Sequence, residues 1–112
     1  MMSEFGELLK SLRKEHKITQ RGLAELIGID FTYISKIENG SMESPAEDKI
    51  LKMAEVFNID PDKLLISAKK VPSDFHKIIT ENEHVPVFLR SASKLSTKQW
   101  EEIRKIIDKE KD

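Results

Sequence analysis

The chain has 112 residues, a formal net charge of −1 and no cysteine, with 38% hydrophobic and 35% charged residues. This length suits one small domain with an appendage, and the absence of cysteine excludes disulfides and thiolate metal sites. No apolar run approaches the roughly 18–20 residues that span a bilayer, and the N-terminus lacks the apolar core of a signal peptide, so we expect a cytoplasmic protein that contacts no membrane.

Helix signals follow one another closely in the first part of the chain. Apolar residues at helical spacing predict a first helix over residues 5–17. Thr19 is placed to cap a second helix, which ends near Gly28. Asp30 is placed to cap a third helix, Phe31–Asn39, and a glycine follows it. These signals predict two short helices joined by a three- to four-residue turn.

The next two helices begin at proline-containing caps. Residues 44–47 (Ser-Pro-Ala-Glu) combine a capping box with proline at the first helical position, which predicts a fourth helix starting there. Its predicted buried face consists of Ile50, Met53, Ala54 and Phe57. Asp60 and Pro61 open a fifth helix. No useful stretch alternates with period two, so we expect an all-α, five-helix domain over residues 1–67.

Residues 68–112 differ in character from this domain. Residues 68–72 are typical of a linker, and short helices are predicted over 73–81 and from Pro86 onward. A second capping box at 96–99 opens a last helix, before a frayed charged tail at 108–112. The apolar stripe predicted for that helix consists of Trp100, Ile103, Ile106 and Ile107.

Residues 19–40 carry the strongest functional signal. Two helices joined by a short turn that contains glycine form a helix-turn-helix unit. In the second of these helices, the isoleucines at 34 and 37 lie inward. At about 100° per residue, Thr32, Tyr33 and Lys36 fall together on the opposite face. Such a short polar edge fits a DNA major groove, which is about 12 Å wide.

Two motifs in this segment resemble the lambda-repressor-like helix-turn-helix family, also called the Xre family. They are Thr-Gln-x-x-Leu-Ala-x-x-Ile-Gly at 19–28 and Tyr-Ile-Ser-Lys-Ile-Glu-Asn-Gly at 33–40. The resemblance covers roughly residues 5–66. It implies a regulator that binds double-stranded DNA sequence-specifically through the recognition helix 31–39, and a repressor by default.

The resemblance also implies roles for single residues. Gln20 matches a residue that grips a phosphate, and Thr32 and Lys36 match positions that contact bases. Arg13 and Glu38 match a structural ion pair that pins the first helix to the end of the third. The residues expected to contact DNA are Gln20, Arg21, Phe31, Thr32, Tyr33, Lys36 and Asn39.

Some of these assignments leave alternatives open. Lys36 either bonds to guanine O6 and N7 or neutralises a phosphate. Phe31 either packs on a thymine methyl group or covers the start of its helix. Asp30 stands where the family often has serine or threonine, and its carboxylate would lie near DNA phosphates.

Residues 1–67 carry 9 Lys and Arg against 12 Asp and Glu, a net charge of −3. An adaptor that has kept the fold and lost DNA binding is therefore one alternative.

Residues 68–112 offer the apolar surface that a homodimer needs. Regulators of this kind usually bind palindromes as dimers, with half-sites about 10–10.5 base pairs apart. The predicted interface consists of Phe75, Ile79, Phe88, Leu89, Trp100, Ile103 and Ile107. These residues could instead pack on the first domain or bind a different protein. That protein could be an antagonist, a toxin bound by an antitoxin-type autoregulator, or a regulatory protease that cuts near residues 88–95.

An enzymatic function is not indicated. The sequence has no glycine-rich phosphate loop, no nucleophile with an evident base, no HExxH-like histidine pair and no metal-binding cluster. We therefore expect no catalytic residues, no metal and no cofactor.

Overall fold

The computed structural model describes residues 4–110, which form eight α-helices and no strand. The helices are α1 (Glu4–Glu15), α2 (Gln20–Ile27), α3 (Phe31–Asn39), α4 (Glu47–Phe57), α5 (Pro61–Ser67), α6 (Phe75–Glu81), α7 (His84–Ala92) and α8 (Thr97–Glu110). The all-α prediction is confirmed. The chain divides into two compact units after Pro72, so residues 68–72 fall in the first unit. No helix in the described range is long and apolar enough to cross a membrane.

The first unit has a single hydrophobic core to which α1 to α5 all contribute. Helix α3 packs against α1 and α2, while α4 packs against α2 and α5. The core side chains are Phe5, Leu9, Leu12, Leu23, Ala24, Ile27, Ile34, Ile37, Ile50, Met53, Ala54, Phe57, Leu64 and Leu65. Burying one large aliphatic side chain stabilises a fold by roughly 1.5–3 kcal/mol, so this core fixes the position of α3.

Helix α1 ends two residues earlier than the sequence predicts. Lys17 adopts the left-handed conformation with φ 57°. The Ile18 N–H then donates to the Arg13 carbonyl at 2.9 Å, and the Lys17 N–H donates to the Lys14 carbonyl at 3.1 Å. This pair of bonds is a Schellman motif, which satisfies the last carbonyls of the helix and turns the chain toward α2.

The caps predicted for α2 and α3 are present. The Thr19 hydroxyl accepts a hydrogen bond from the Gly22 N–H at 3.0 Å, and Asp30 accepts from the Thr32 N–H at 3.0 Å. Gly28 ends α2 with φ 72° and Gly40 ends α3 with φ 85°. Both helices therefore begin and end as predicted.

The capping box predicted for α4 is wrong. The helix begins at Glu47, and its N-cap Ala46 makes no side-chain hydrogen bond. The Ser44 hydroxyl instead lies 3.5 Å from the Ala68 carbonyl oxygen, which it can reach as a donor. Pro45 is fully buried, and packing its ring keeps the chain extended until Ala46. A tertiary contact thus overrides the local helix signal, although the predicted buried face of α4 is confirmed.

The second unit contains α6 to α8, and three of its predicted boundaries shift. Helix α6 begins at Phe75 rather than at residue 73. Helix α7 begins at His84, whose N–H donates to Asn82 Oδ1 at 2.9 Å. Pro86 lies within its first turn, where a missing N–H costs no helical hydrogen bond. Helix α8 continues through 108–110, predicted as a frayed tail, with Arg104 Nε and Asp108 Oδ2 paired at 3.3 Å. Residues 111 and 112 lie outside the described range.

The capping box predicted for α8 is confirmed in both directions. The Gln99 N–H donates to the Ser96 hydroxyl at 3.1 Å, and the Ser96 N–H donates to the Gln99 side-chain oxygen at 2.9 Å. This reciprocal pair satisfies two backbone donors that a helix start leaves without intrahelical partners.

Candidate DNA-binding surface

Helix α3 presents one side to the core and the other to solvent. Ile34 and Ile37 are 0% exposed, whereas Thr32 and Lys36 are exposed. Tyr33 is half-buried, because its ring packs against the edge of the core. The outer edge therefore consists mainly of Thr32 and Lys36, with Tyr33 at its border rather than projecting fully outward as predicted.

A buried ion pair joins α1 to the end of α3. Arg13 donates from Nε to Glu38 Oε2 at 2.8 Å and from Nη2 to Glu38 Oε1 at 3.0 Å. Its Nη1 donates to the Ile18 carbonyl at 3.0 Å. The bond to Glu38 raises the pKa of Arg13, and the charge of Glu38 acts in the same direction against the effect of burial. The structure brings together the two residues that the family resemblance paired.

Gln20 belongs to the same network. Its side-chain N–H donates to Glu38 Oε1 at 3.1 Å, so the first residue of α2 is fixed to the end of α3. An amide carries two N–H donors, and this bond uses one of them. The phosphate contact of Gln20 stays a prediction, but the network holds the side chain in place at the helix start.

Arg21 of α2 stacks over the ring of Phe31, the first residue of α3. The guanidinium carbon of Arg21 lies 4.2 Å from the centroid of the Phe31 ring, a distance typical of cation–π contacts. Phe31 is half-buried and packs against the core. The Phe31 ring thus holds the guanidinium of Arg21 near the N-terminal ends of α2 and α3.

Asp30 does more than the cap that the sequence predicts. Its Oδ1 accepts from both the N–H and the hydroxyl of Thr32, each at 3.0 Å. The backbone bond lowers the pKa of Asp30, and the hydroxyl bond and the charge of Lys36 lower it further. The carboxylate is therefore charged at neutral pH, and its contribution to stability is lost only as the pH falls through its lowered folded-state pKa. The Asp-x-Thr spacing was the available signal for this hydroxyl bond.

The loop after α3 is ordered by its own backbone and by Asn39. The Asn39 side-chain oxygen accepts from the Ser41 N–H at 2.8 Å. The Lys36 carbonyl also accepts hydrogen bonds from the Ser41 N–H at 2.9 Å and from the Met42 N–H at 3.2 Å. Asn39, one of the residues expected to contact DNA, thus orders the loop after α3. In the described range no group of three or more His, Asp or Glu residues is arranged to hold a metal ion.

The predicted interface residues of the second unit are all at least partly accessible. Phe88, Leu89, Trp100 and Ile107 are exposed, and Phe75, Ile79 and Ile103 are half-buried. The Phe88 and Trp100 rings meet edge to face, with centroids 6.1 Å apart. One predicted interface residue of α7 and one of α8 therefore contact each other directly.

A family model described as helix-turn-helix matches residues 9–64. The chain is also 30% identical to the HTH-type transcriptional regulator RghRB of Bacillus subtilis (strain 168), over 93% of this chain and 83% of that protein. This chain belongs to the helix-turn-helix family of transcriptional regulators. The predicted Xre-type family is thereby confirmed. The repressor RghR of the same organism is 40% identical over 60% of this regulator and 50% of its own length.

Solved structures of helix-turn-helix regulators resemble the fold of this one. SinR, a master regulator of biofilm formation solved in complex with DNA, is 30% identical over 55% of this regulator and 97% of that chain, with a TM-score of 0.50. A chain of the SinR–SinI complex is 25% identical over 96% of this regulator and 97% of that chain, with a TM-score of 0.52. The second likeness extends across both compact units.

Proposed function

We propose that this regulator binds double-stranded DNA sequence-specifically by placing α3 in the major groove, and that it represses transcription from a palindromic site. One observation carries the proposal: Thr32 and Lys36 are exposed on a helix whose opposite side, Ile34 and Ile37, is fully buried. A helix held in this way presents its polar edge without rearrangement. Because such a regulator must meet the genome, we expect it to act in the cytoplasm.

The surroundings of α3 support docking on a DNA backbone. Helix α2 begins beside the Arg21–Phe31 contact, and the N-terminus of a helix favours phosphate groups through its N–H donors and its dipole. Gln20 is held at the start of α2 by Glu38. The similarity to SinR, whose structure was solved with DNA, supports the same use of this unit.

The second unit supports action as a homodimer. None of its described side chains from residue 73 to 109 is buried, so the unit lacks a core of its own. Trp100, Ile103 and Ile107 lie along one side of α8 at spacings of three and four residues, the pattern of a helix that packs against another helix. A second copy is the occupant we favour, because two linked heads match the two halves of a palindrome and compensate for the few cations near α3.

A different protein partner is the second candidate for the same surface. The likeness to a chain of the SinR–SinI complex covers 96% of this regulator, and that complex is an assembly of two different proteins. An antagonist, or a toxin in an antitoxin-type system, would then cover α8. Copurification of a stoichiometric partner with the full chain, lost when Ile107 is changed to Asp, would favour this candidate over self-association.

Selection from a random duplex library tests the proposed function. The full-length regulator is used at about 50 mM salt, where electrostatic attraction is least screened. We expect an enriched motif with two inverted half-sites whose centres lie about 10–10.5 base pairs apart. Failure to enrich any motif would contradict sequence-specific binding and favour an adaptor role. A single unrepeated half-site would contradict the dimer but keep DNA binding.

A further inference from the structure

Thr32 presents an unusual hydrogen-bonding surface at the outer edge of α3. Its hydroxyl lies 3.0 Å from Asp30 Oδ1, which also accepts the Thr32 N–H. A carboxylate can only accept, so the hydroxyl proton of Thr32 points to Asp30. The exposed side of the hydroxyl then offers lone pairs and no donor.

Asp30 extends this acceptor surface. No described residue donates to its Oδ2, and the residue is exposed, so a second acceptor oxygen lies next to the Thr32 hydroxyl. The charge of Lys36 also acts on Asp30, and its ammonium group offers only donors. The outer edge of α3 therefore has an accepting half at its N-terminal end and a donating half one turn later.

These two halves match different base edges in a major groove. Adenine N6 and cytosine N4 are amino groups that donate, whereas guanine O6 and N7 and thymine O4 only accept. A DNA phosphate also only accepts, and it would be repelled by the Asp30 carboxylate. The accepting half is thus suited to an amino base and unsuited to a keto base or a phosphate.

We propose that Asp30 and Thr32 act together as a specificity-determining pair that selects adenine or cytosine on the strand facing the start of α3. Lys36 contacts the neighbouring keto base. Asp30 acts largely through Thr32, whose hydroxyl it turns into an acceptor. This inference rests on the proposed function and adds to it the chemical class of one base in the operator.

The test removes one amino group at a time from the selected operator. Each adenine of a half-site is replaced by purine, and each cytosine by 2-pyrimidinone, and the affinity of the full-length regulator is measured by fluorescence anisotropy. The Thr32→Ala variant is measured on the same duplexes. We expect Thr32→Ala to fold like the wild type, because residue 32 is exposed and its backbone N–H can still donate to Asp30. Circular dichroism would check this. Comparing both proteins on one duplex cancels the cost of altered base pairing.

We expect one position at which the wild-type protein loses about fivefold or more in affinity while Thr32→Ala loses none. The Asp30→Ser variant keeps a capping oxygen but leaves the Thr32 hydroxyl able to donate. At the same position it should accept guanine or thymine, with discrimination between amino and keto bases reduced about fivefold or more.

Two results would overturn the inference while leaving the proposed function in place. They are an operator in which no amino group couples to Thr32 and an Asp30→Ser variant with an unchanged base preference. If the wild-type protein selects no motif at all, the proposed function itself fails and the inference fails with it.

Discussion

Glu38 is the residue at which three helices of the first unit meet. It is 3% exposed, and its carboxylate accepts from Arg13 of α1 and Gln20 of α2 while lying on α3. Removing one partner of a buried pair leaves the other charge uncompensated, which costs about 3–5 kcal/mol. We therefore expect Glu38→Ala to lower the free energy of unfolding by about 3 kcal/mol or more, measured by urea denaturation.

Glu25→Ala is the control for this change, because Glu25 is an exposed glutamate on α2. Exposed substitutions of this kind usually stay within about 0.5 kcal/mol. A loss below about 1 kcal/mol for Glu38→Ala would show that the network does not hold α1, α2 and α3 together.

Gly22 has a structural explanation that the sequence did not provide. A Cβ at this position would lie 3.1 Å from the Thr19 hydroxyl oxygen that caps α2. Alanine inside a helix is more stable than glycine by roughly 0.5–1 kcal/mol. At this position its Cβ would crowd the Thr19 hydroxyl, whose capping bond contributes about 1 kcal/mol. We expect Gly22→Ala to leave the stability of the wild-type protein unchanged or lower.

The same substitution in a Thr19→Ala background provides the control. Once the hydroxyl is absent, we expect Gly22→Ala to stabilise the protein by about 0.5–1 kcal/mol. Thermal melts of the wild type, the two single variants and the double variant measure how strongly the two substitutions are coupled. Equal effects of Gly22→Ala in both backgrounds would contradict the proposed conflict with the cap.

The turn between α2 and α3 depends on a left-handed residue. Gly28 has φ 72°, and a Cβ placed there would contact nothing within 4 Å. The cost of Gly28→Ala is therefore backbone strain alone, which amounts to about 1–2 kcal/mol. Asparagine tolerates this conformation better, so Gly28→Asn should cost less in urea denaturation. Equal losses for both variants would contradict a purely conformational role.

The helix boundaries show which parts of the fold are encoded locally. Thr19, Gly28 and Asp30 act within two or three residues of themselves, and the limits of α2 and α3 follow from the sequence alone. The start of α4 does not, because burial of Pro45 is a tertiary contact that no local pattern reports. The start of α7 is set by a local bond instead, because the His84 N–H donates to Asn82 Oδ1 and the helix begins two residues before Pro86.

In the candidate site, too, the sequence pattern predicts some features and not others. Helical periodicity was sufficient to place Thr32 and Lys36 on one face and the two isoleucines on the other. Arg13 and Glu38 are 25 positions apart, and only the family resemblance paired them. The half-buried ring of Tyr33 depends on its packing against the core, which periodicity does not determine.

At the scale of the whole molecule, the exposed stripe of α8 predicts a dimer that a single charge disrupts. Ile107 is 51% exposed, and Asp at this position would place a charge in the proposed interface. We expect light scattering after gel filtration to show a dimer for the wild type and a monomer for Ile107→Asp. Affinity for a duplex with two half-sites should fall about 100-fold or more as avidity is lost.

Ile66→Asp is the matched control, because Ile66 is 54% exposed and lies on α5 of the first unit. It should remain a dimer. A monomeric wild type, or an Ile107→Asp variant that stays dimeric, would contradict the role proposed for α8.

The most direct test of the account is the ratio of affinities for the selected operator and for a shuffled duplex of the same composition. Lys36→Ala should reduce this ratio about 5- to 150-fold, since a good base contact contributes about 1–3 kcal/mol of discrimination. Lys63→Ala, an exposed lysine on α5, should leave it unchanged. If Lys36→Ala weakens both duplexes equally, Lys36 contacts only the backbone and α3 does not determine sequence as proposed.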